Sequence, residues 1–190
     1  MSIKTINPAT EETIKEYSVI TESELKNKII KSREAFSKWK VDPKKRSTFL
    51  HILSEELRKN KESLAKIATQ EMGKPLKESI AEVEKCAWAM EFYGDNGEVF
   101  LNQEVINTDA RKSFVSFEPI GIIASIMPWN FPYWQALRFA APSLMAGNTI
   151  VLKPASVTMQ CGIEMENIFL KSGFPEGIFQ NRNSVSKIAF

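Results

Sequence analysis

Two short apolar runs separated by a helix-length segment constrain this chain more than any other feature. After Pro119 and Gly121 the sequence reads IIASIM and stops at Pro128, and after Gly147-Asn148 it reads TIVLK. Short apolar runs bounded by turn residues fit strands buried on both faces, the pattern of parallel sheets. The segment between them, Pro132 to Met145, is helical in spacing, and a second helical stretch runs from Val157 to Ser172. Strand, helix, strand, helix with short links predicts a right-handed βαβ unit. The expected fold class is α/β, with the first half of a doubly wound parallel sheet in the later part of the chain.

Earlier residues carry a different rhythm. Thr21 and Glu24 form a capping-box pattern, and Leu25, Ile29, Phe36 and Trp39 then recur on one helical face. Pro43 suits the first turn of a second helix, with Phe49, Ile52, Leu53, Leu57, Leu64 and Ile67 inward until Gly73 and Pro75. A third helix carries Leu76, Ile80, Val83, Ala87 and Met90 and is expected to stop near Gly94 and Gly97. The intervening Lys and Glu residues read as a solvated face. Glu104–Asn107 and Lys112–Glu118 read as two strands joined at Thr108-Asp109-Ala110. After Gly177 only thirteen residues follow, and 181–190 lose the apolar rhythm. A parallel sheet ended there would leave a bare edge, so the chain reads as cut short.

Composition excludes several classes of function. Lys plus Arg number 25 against 23 Asp plus Glu, a net charge of +2 that gives no argument for nucleic acid or an anionic membrane. No segment approaches the ~20 apolar residues of a membrane span, and the N-terminus lacks a signal pattern, so a cytoplasmic protein is expected. Cys86 and Cys161 lie 75 positions apart and His51 is the single histidine, which argues against a disulfide scaffold or a zinc site. Both thiols sit in apolar surroundings and read as buried and inert; His51 reads as a surface or packing residue. Neither a G-x-G-x-x-G nor a Walker loop is present.

In open α/β sheets ligands bind outside the carboxyl ends of the strands. Those ends are Met127-Pro128-Trp129-Asn130-Phe131-Pro132 and Leu152-Lys153-Pro154-Ala155-Ser156. Asn130, in a segment bounded by prolines, suits a preorganised amide donor to a developing oxyanion. It equally suits a turn Asn bonding its own backbone. Lys153 fits a phosphate or a sugar hydroxyl, or simply a charge ending a buried strand.

PWNFP, the helix WQALRFAAPSLMAGN, TIVLKPAS and GFPEGIF, with ATEE and QEMGKP upstream, resemble the aldehyde dehydrogenase superfamily in order and spacing. The resemblance covers residues 3–180 and implies a Rossmann-like sheet. It implies that 1–100 form the helical part of the cofactor domain, 101–118 an oligomer-bridging hairpin and 119–180 the first βαβα units, with the catalytic domain absent. It implies that Asn130 stabilises the thiohemiacetal formed when a cysteine attacks an aldehyde. Met127, Pro128 and Trp129 would then line the nicotinamide-ribose side of the cofactor. Lys153 would bond the adenosine ribose, with Pro154, Ala155 and Ser156 around it. A Glu often stands at the position of Ser156 in members preferring NAD; a serine beside Lys153 does not repel the extra phosphate of NADP. NADP is therefore expected, with NAD possible.

Arg138 falls where succinate semialdehyde dehydrogenases of the family place an arginine for the substrate carboxylate, although Phe139 departs from the usual Arg-Lys pair. On pattern alone Arg138 also fits the polar face of a helix, and Gln135 is a weaker pocket candidate. Neither Cys86 nor Cys161 matches the family's nucleophile, and no residue matches its general-base glutamate. The resemblance thus implies oxidation of succinate semialdehyde with NAD(P), full-length relatives that form homo-oligomers, and a 190-residue chain inactive by itself. A truncated enzyme sequence, a non-catalytic remnant that binds cofactor or a full-length subunit, and an unrelated module remain the three readings.

Overall fold

A computed structural model describes residues 2–184. The expected tail 181–190 therefore lies mostly outside the described residues.

The helical reading of the first third needs a correction at its start. Residues 2–18 form an antiparallel hairpin, β1 (Ser2–Ile6) with β2 (Thr13–Ser18). Its period-two signal is weak because only Ile3, Thr5 and Tyr17 turn inward among charged neighbours. Ile3 and Tyr17 close over Met159 as a small separate cluster.

Helix α1 (Glu22–Trp39) starts at the expected capping box, with Thr21 Oγ1 accepting from Glu24 N and Glu24 Oε2 accepting from Thr21 N. Its buried face is shifted from the expected one: Trp39 is buried as expected, but Ser32 and Ala35 are buried with it and Ile29 is exposed. The cause is a close backbone approach. Ser32 Oγ donates to Gly177 O at 2.7 Å, and a Cβ on Gly177 would come within 2.5 Å of Lys31 O. Only small residues fit between the two segments.

The long helix expected from Pro43 is two helices, α2 (Pro43–Lys59) and α3 (Lys61–Met72), with Asn60 between them at φ −103°, ψ 9°. Asn60 Nδ2 turns back to donate to Glu56 O. Helix α3 ends as expected at Gly73, which is left-handed at φ 76°.

Helix α4 (Leu76–Phe100) does not stop at its glycines. Gly94 and Gly97 are where neighbours come closest. A Cβ at Gly97 would lie 2.1 Å from Met145 Cγ, and one at Gly94 would lie 2.9 Å from His51 Nε2. His51 is thus a packing residue, paired at the surface with Asp95. Ile52 and Leu76, expected inward, are exposed. Strands β3 (Glu104–Ile106) and β4 (Ser113–Val115) pair as the expected hairpin, both exposed.

The remaining elements are β5 (Ile122–Ile126), α5 (Pro132–Met145), β6 (Thr149–Lys153), α6 (Met159–Lys171) and β7 (Phe179–Asn181). The three strands make one parallel sheet in the order β5-β6-β7, with Ile126 opposite Lys153 and Leu152 opposite Asn181. Strand β6 is buried almost throughout, as its run of TIVL demands. Strand β5 is an edge of the described sheet, and contrary to expectation Ala124 and Ile126 are exposed.

One core joins the layers. Leu50, Leu53 and Leu57 pack with Val83, Cys86, Ala87 and Met90, and this cluster continues through Tyr133, Leu137 and Leu144 to Ile150 and Leu152. Arg46 is buried within it because two carbonyls need its donors: Nε donates to Met145 O at 2.8 Å and Nη1 to Trp39 O at 3.0 Å. Asn148 closes α5 onto the sheet, its Oδ1 accepting from Ile120 N and Gly121 N.

Helix propensity alone would favour alanine over glycine by about 1 kcal/mol within a helix. Gly97→Ala is nevertheless expected to lower the urea midpoint, by about 1–3 kcal/mol in stability, because the new methyl meets Met145. A stabilised Gly97→Ala chain would show that α4 and α5 are free to separate.

Candidate functional site

The carboxyl ends of the parallel strands are adjacent. Met127 N donates to Lys153 O at 3.1 Å and Arg182 N donates to Leu152 O at 2.7 Å, so the loops after β5, β6 and β7 leave the sheet side by side. Met127 is half-buried against the core; Pro128, Trp129 and Asn130 are exposed, Trp129 by 54%. The Asn130 side chain makes no hydrogen bond among the described residues, so the self-bonded turn reading is not what the structure contains. Its two N–H donors are unspent.

Lys153 is half-buried at the end of β6, and among the described residues its Nζ donates only to Pro154 O, at 3.2 Å. Desolvation, reinforced by the neighbouring Arg182, lowers its pKa below the ordinary 10.5. Arg182 escaped the sequence reading because it lies in the stretch without apolar rhythm. Its Nε is buried with no partner, and no carboxylate pairs with either cation among the described residues. Pro154 is buried, and Ala155 and Ser156 are half-buried, Ser156 opening a 3₁₀ turn to Thr158. This loop lies directly on α6 because residue 162 is glycine: a Cβ there would meet Pro154 Cγ at 2.6 Å.

The helices after β5 and β6 have their N-termini filled by protein carboxylates. Glu82 Oε1, from α4, accepts from Tyr133 N and Trp134 N at 2.9 Å each. Glu71, from α3, accepts from Gln160 N at 2.9 Å and Cys161 N at 3.0 Å. Burial pushes the Glu71 carboxyl up from its usual 4.5, against the pull of those two N–H donors. Both glutamates, and Lys74 beside Glu82, are expected from sequence on the solvated face; the glutamates are buried because a helix end needs an acceptor, and Lys74 because it pairs with Glu82.

Arg138 is exposed and lines a cleft of about 490 Å³ between α4 and α5, with Trp88, Phe92, Tyr93, Trp134 and Phe139. Gln135 does not line it. The aromatic wall was missed in sequence, where Trp88 and Phe92, four apart on α4, could have marked it. A larger groove of about 710 Å³ runs along β7 between α1 and α6 and holds none of the candidate site residues named from the sequence. Cys86 and Cys161 are fully buried, and desolvation raises both thiols well above the usual range, so both are inert as expected.

The profile of the aldehyde dehydrogenase family matches residues 1–184. A probable succinate-semialdehyde dehydrogenase [NADP(+)] of Synechocystis sp. is 42% identical over 190 residues, all of this chain and 42% of that protein. Succinate-semialdehyde dehydrogenase [NADP(+)] 1 of Mycobacterium tuberculosis is 38% identical over 95% of this chain and 40% of its own length. Among solved structures, succinic semialdehyde dehydrogenase from Streptococcus pyogenes in complex with NADP+ superposes with a TM-score of 0.93 at 30% identity, over 97% of this chain and 41% of that one. The chain thus spans about two fifths of the length of these relatives. The order of its strands and helices and the profile over 184 residues agree: this chain belongs to the aldehyde dehydrogenase family.

Proposed function

We propose that the chain supplies the nucleotide-side half of the active site of an aldehyde dehydrogenase that oxidises succinate semialdehyde with NADP. The observation that carries this reading is the adjacency of the loop bearing Asn130 and the loop bearing Lys153, tied together by Met127 N to Lys153 O. The similar proteins named above are NADP(+) enzymes of that aldehyde, which supports the substrate and the cofactor.

The residues present fit a phosphorylated nucleotide. Among the described residues, two cations without carboxylate partners stand at the ends of β6 and β7, one with a buried unpartnered N–H, and Ser156 brings no negative charge. Lys153 and Arg182 would hold the additional phosphate and Ser156 the ribose side, with Met127, Pro128 and Trp129 beside the nicotinamide end. When bound, the nucleotide supplies a hydride acceptor. Asn130 donates its side-chain N–H to the oxygen of the aldehyde as negative charge develops there. Arg138 pairs with the far carboxylate across the aromatic cleft, which fixes the reach of a short carboxy-aldehyde. The exposed hairpin β3–β4, with Val105 exposed by 77%, supports the bridging role in a homo-oligomer.

The nucleophile is not among this chain's thiols, because both are buried and protonated. The 190-residue chain mixed with succinate semialdehyde and NADP is therefore expected to form no reduced nucleotide. Turnover that vanishes in Asn130→Ala would contradict that expectation. Binding of 2′,5′-ADP, followed by calorimetry, is expected to weaken about tenfold in Lys153→Ala, a change of about 1.4 kcal/mol. Ser156→Glu should weaken 2′,5′-ADP but not 5′-AMP, since only the former carries the phosphate that a new carboxylate repels. The ammonium form holds the phosphate, so affinity is present below the lowered Lys153 pKa and is lost as pH rises through it, at lower pH than for an ordinary lysine at 10.5. A flat affinity from pH 7 upward to that of free lysine would exclude Lys153 from the phosphate.

A further inference from the structure

We propose that Lys74 and Glu82 are the positioning pair of Asn130, holding from outside the sheet the loop that aims its amide. The inference rests on the role given to Asn130 above.

The contacts form one continuous path. The Glu82 side chain is 1% exposed; its Oε1 receives Tyr133 N and Trp134 N, and its second oxygen receives Lys74 Nζ. Lys74 Nζ also stands 3.8 Å from the centroid of the Phe131 ring, and Phe131 directly follows Asn130. Phe131 O in turn accepts from Gln135 N at 3.0 Å as the first bond of α5. On the other side the loop is tied at Met127 N to Lys153 O. Between those ties Pro128, Trp129 and Asn130 are exposed, and the side chains of Trp129 and Asn130 make no hydrogen bond among the described residues. The direction of the amide is therefore set by its two anchors, and the Phe131 anchor is the one built from charge.

Packing alone does not explain the pair. Apolar residues of similar volume commonly replace a buried ion pair without loss of stability. Direction is what these charges add. A carboxylate fixes two N–H groups of the first turn, and an ammonium fixes the face of the ring beside them.

The test is an NMR measurement on the 190-residue chain without nucleotide. The Asn130 backbone order parameter is expected to be about 0.85, and to fall below about 0.6 in Lys74→Met, with Lys74→Arg restoring it. Lys74→Met leaves Glu82 unpaired and could unfold the chain. The double variant Lys74→Met/Glu82→Gln removes both charges and keeps an acceptor for Tyr133 N and Trp134 N. Its β6 amides should stay protected while Asn130 loosens. The ring contact has its own signature, an upfield shift of the Lys74 ε-methylene protons that disappears in Phe131→Leu. An unchanged order parameter in the double variant, or Lys74→Arg loosening the loop as much as Lys74→Met, overturns the proposal. A parallel titration with 2′,5′-ADP separates the two readings. An ordered, Lys74-dependent loop on a chain that binds no nucleotide counts against the cofactor reading alone; binding with a Lys74-independent loop sinks the positioning pair alone.

Discussion

Two buried carboxylates hold the ligand end of this fold. A helix that follows a strand points its unpaired N–H groups at the carboxyl edge of the sheet, and those groups need an acceptor. In many doubly wound proteins the acceptor is a phosphate of the ligand. Here Glu82 serves α5 and Glu71 serves α6. The helix starts are satisfied by the protein itself, without any ligand. The cations left over stand at the strand ends, where Lys153 and Arg182 have no counter-ions among the described residues.

Elements written by local chemistry were legible in the sequence. The capping box at Thr21, the βαβα alternation after Pro119 and the buried strand TIVL all depend on neighbours a few residues away, and all stand where expected. Features that depend on distant neighbours were not. Ile29 points outward because Gly177, far along the chain, brings a backbone against α1 and admits only Ser32 and Ala35. Helix α4 runs through Gly94 and Gly97 because Met145 and His51 occupy the space a side chain would need. The opening hairpin was hidden by its charged outer face, which dilutes the alternation of Ile3 and Thr5.

The site divides the same way. Asn130 and Lys153 could be named from their places at strand ends, and Arg138 from the resemblance. The buried charges behind these loops look like ordinary surface charge in one dimension: Glu71, Lys74 and Glu82 sit among many other Lys and Glu residues. Only the packing of α3 and α4 against α5 and α6 shows that these three are buried. The aromatic wall of the cleft was marked only by the i,i+4 spacing of Trp88 and Phe92, on a helix whose opposite face is core.

That cleft has fixed jaws. Helices α4 and α5 are clamped at one end where Glu82 grips Tyr133 and Trp134, and at the other where Gly97 accepts Met145 against its bare Cα. Trp88, Phe92, Trp134 and Arg138 line the span between the two clamps. The spacing of the helices is therefore a property of the core. Trimming the side chains along the jaws would change the shape of the cleft and leave the helix spacing alone, while a substitution at Gly97 would change the spacing itself.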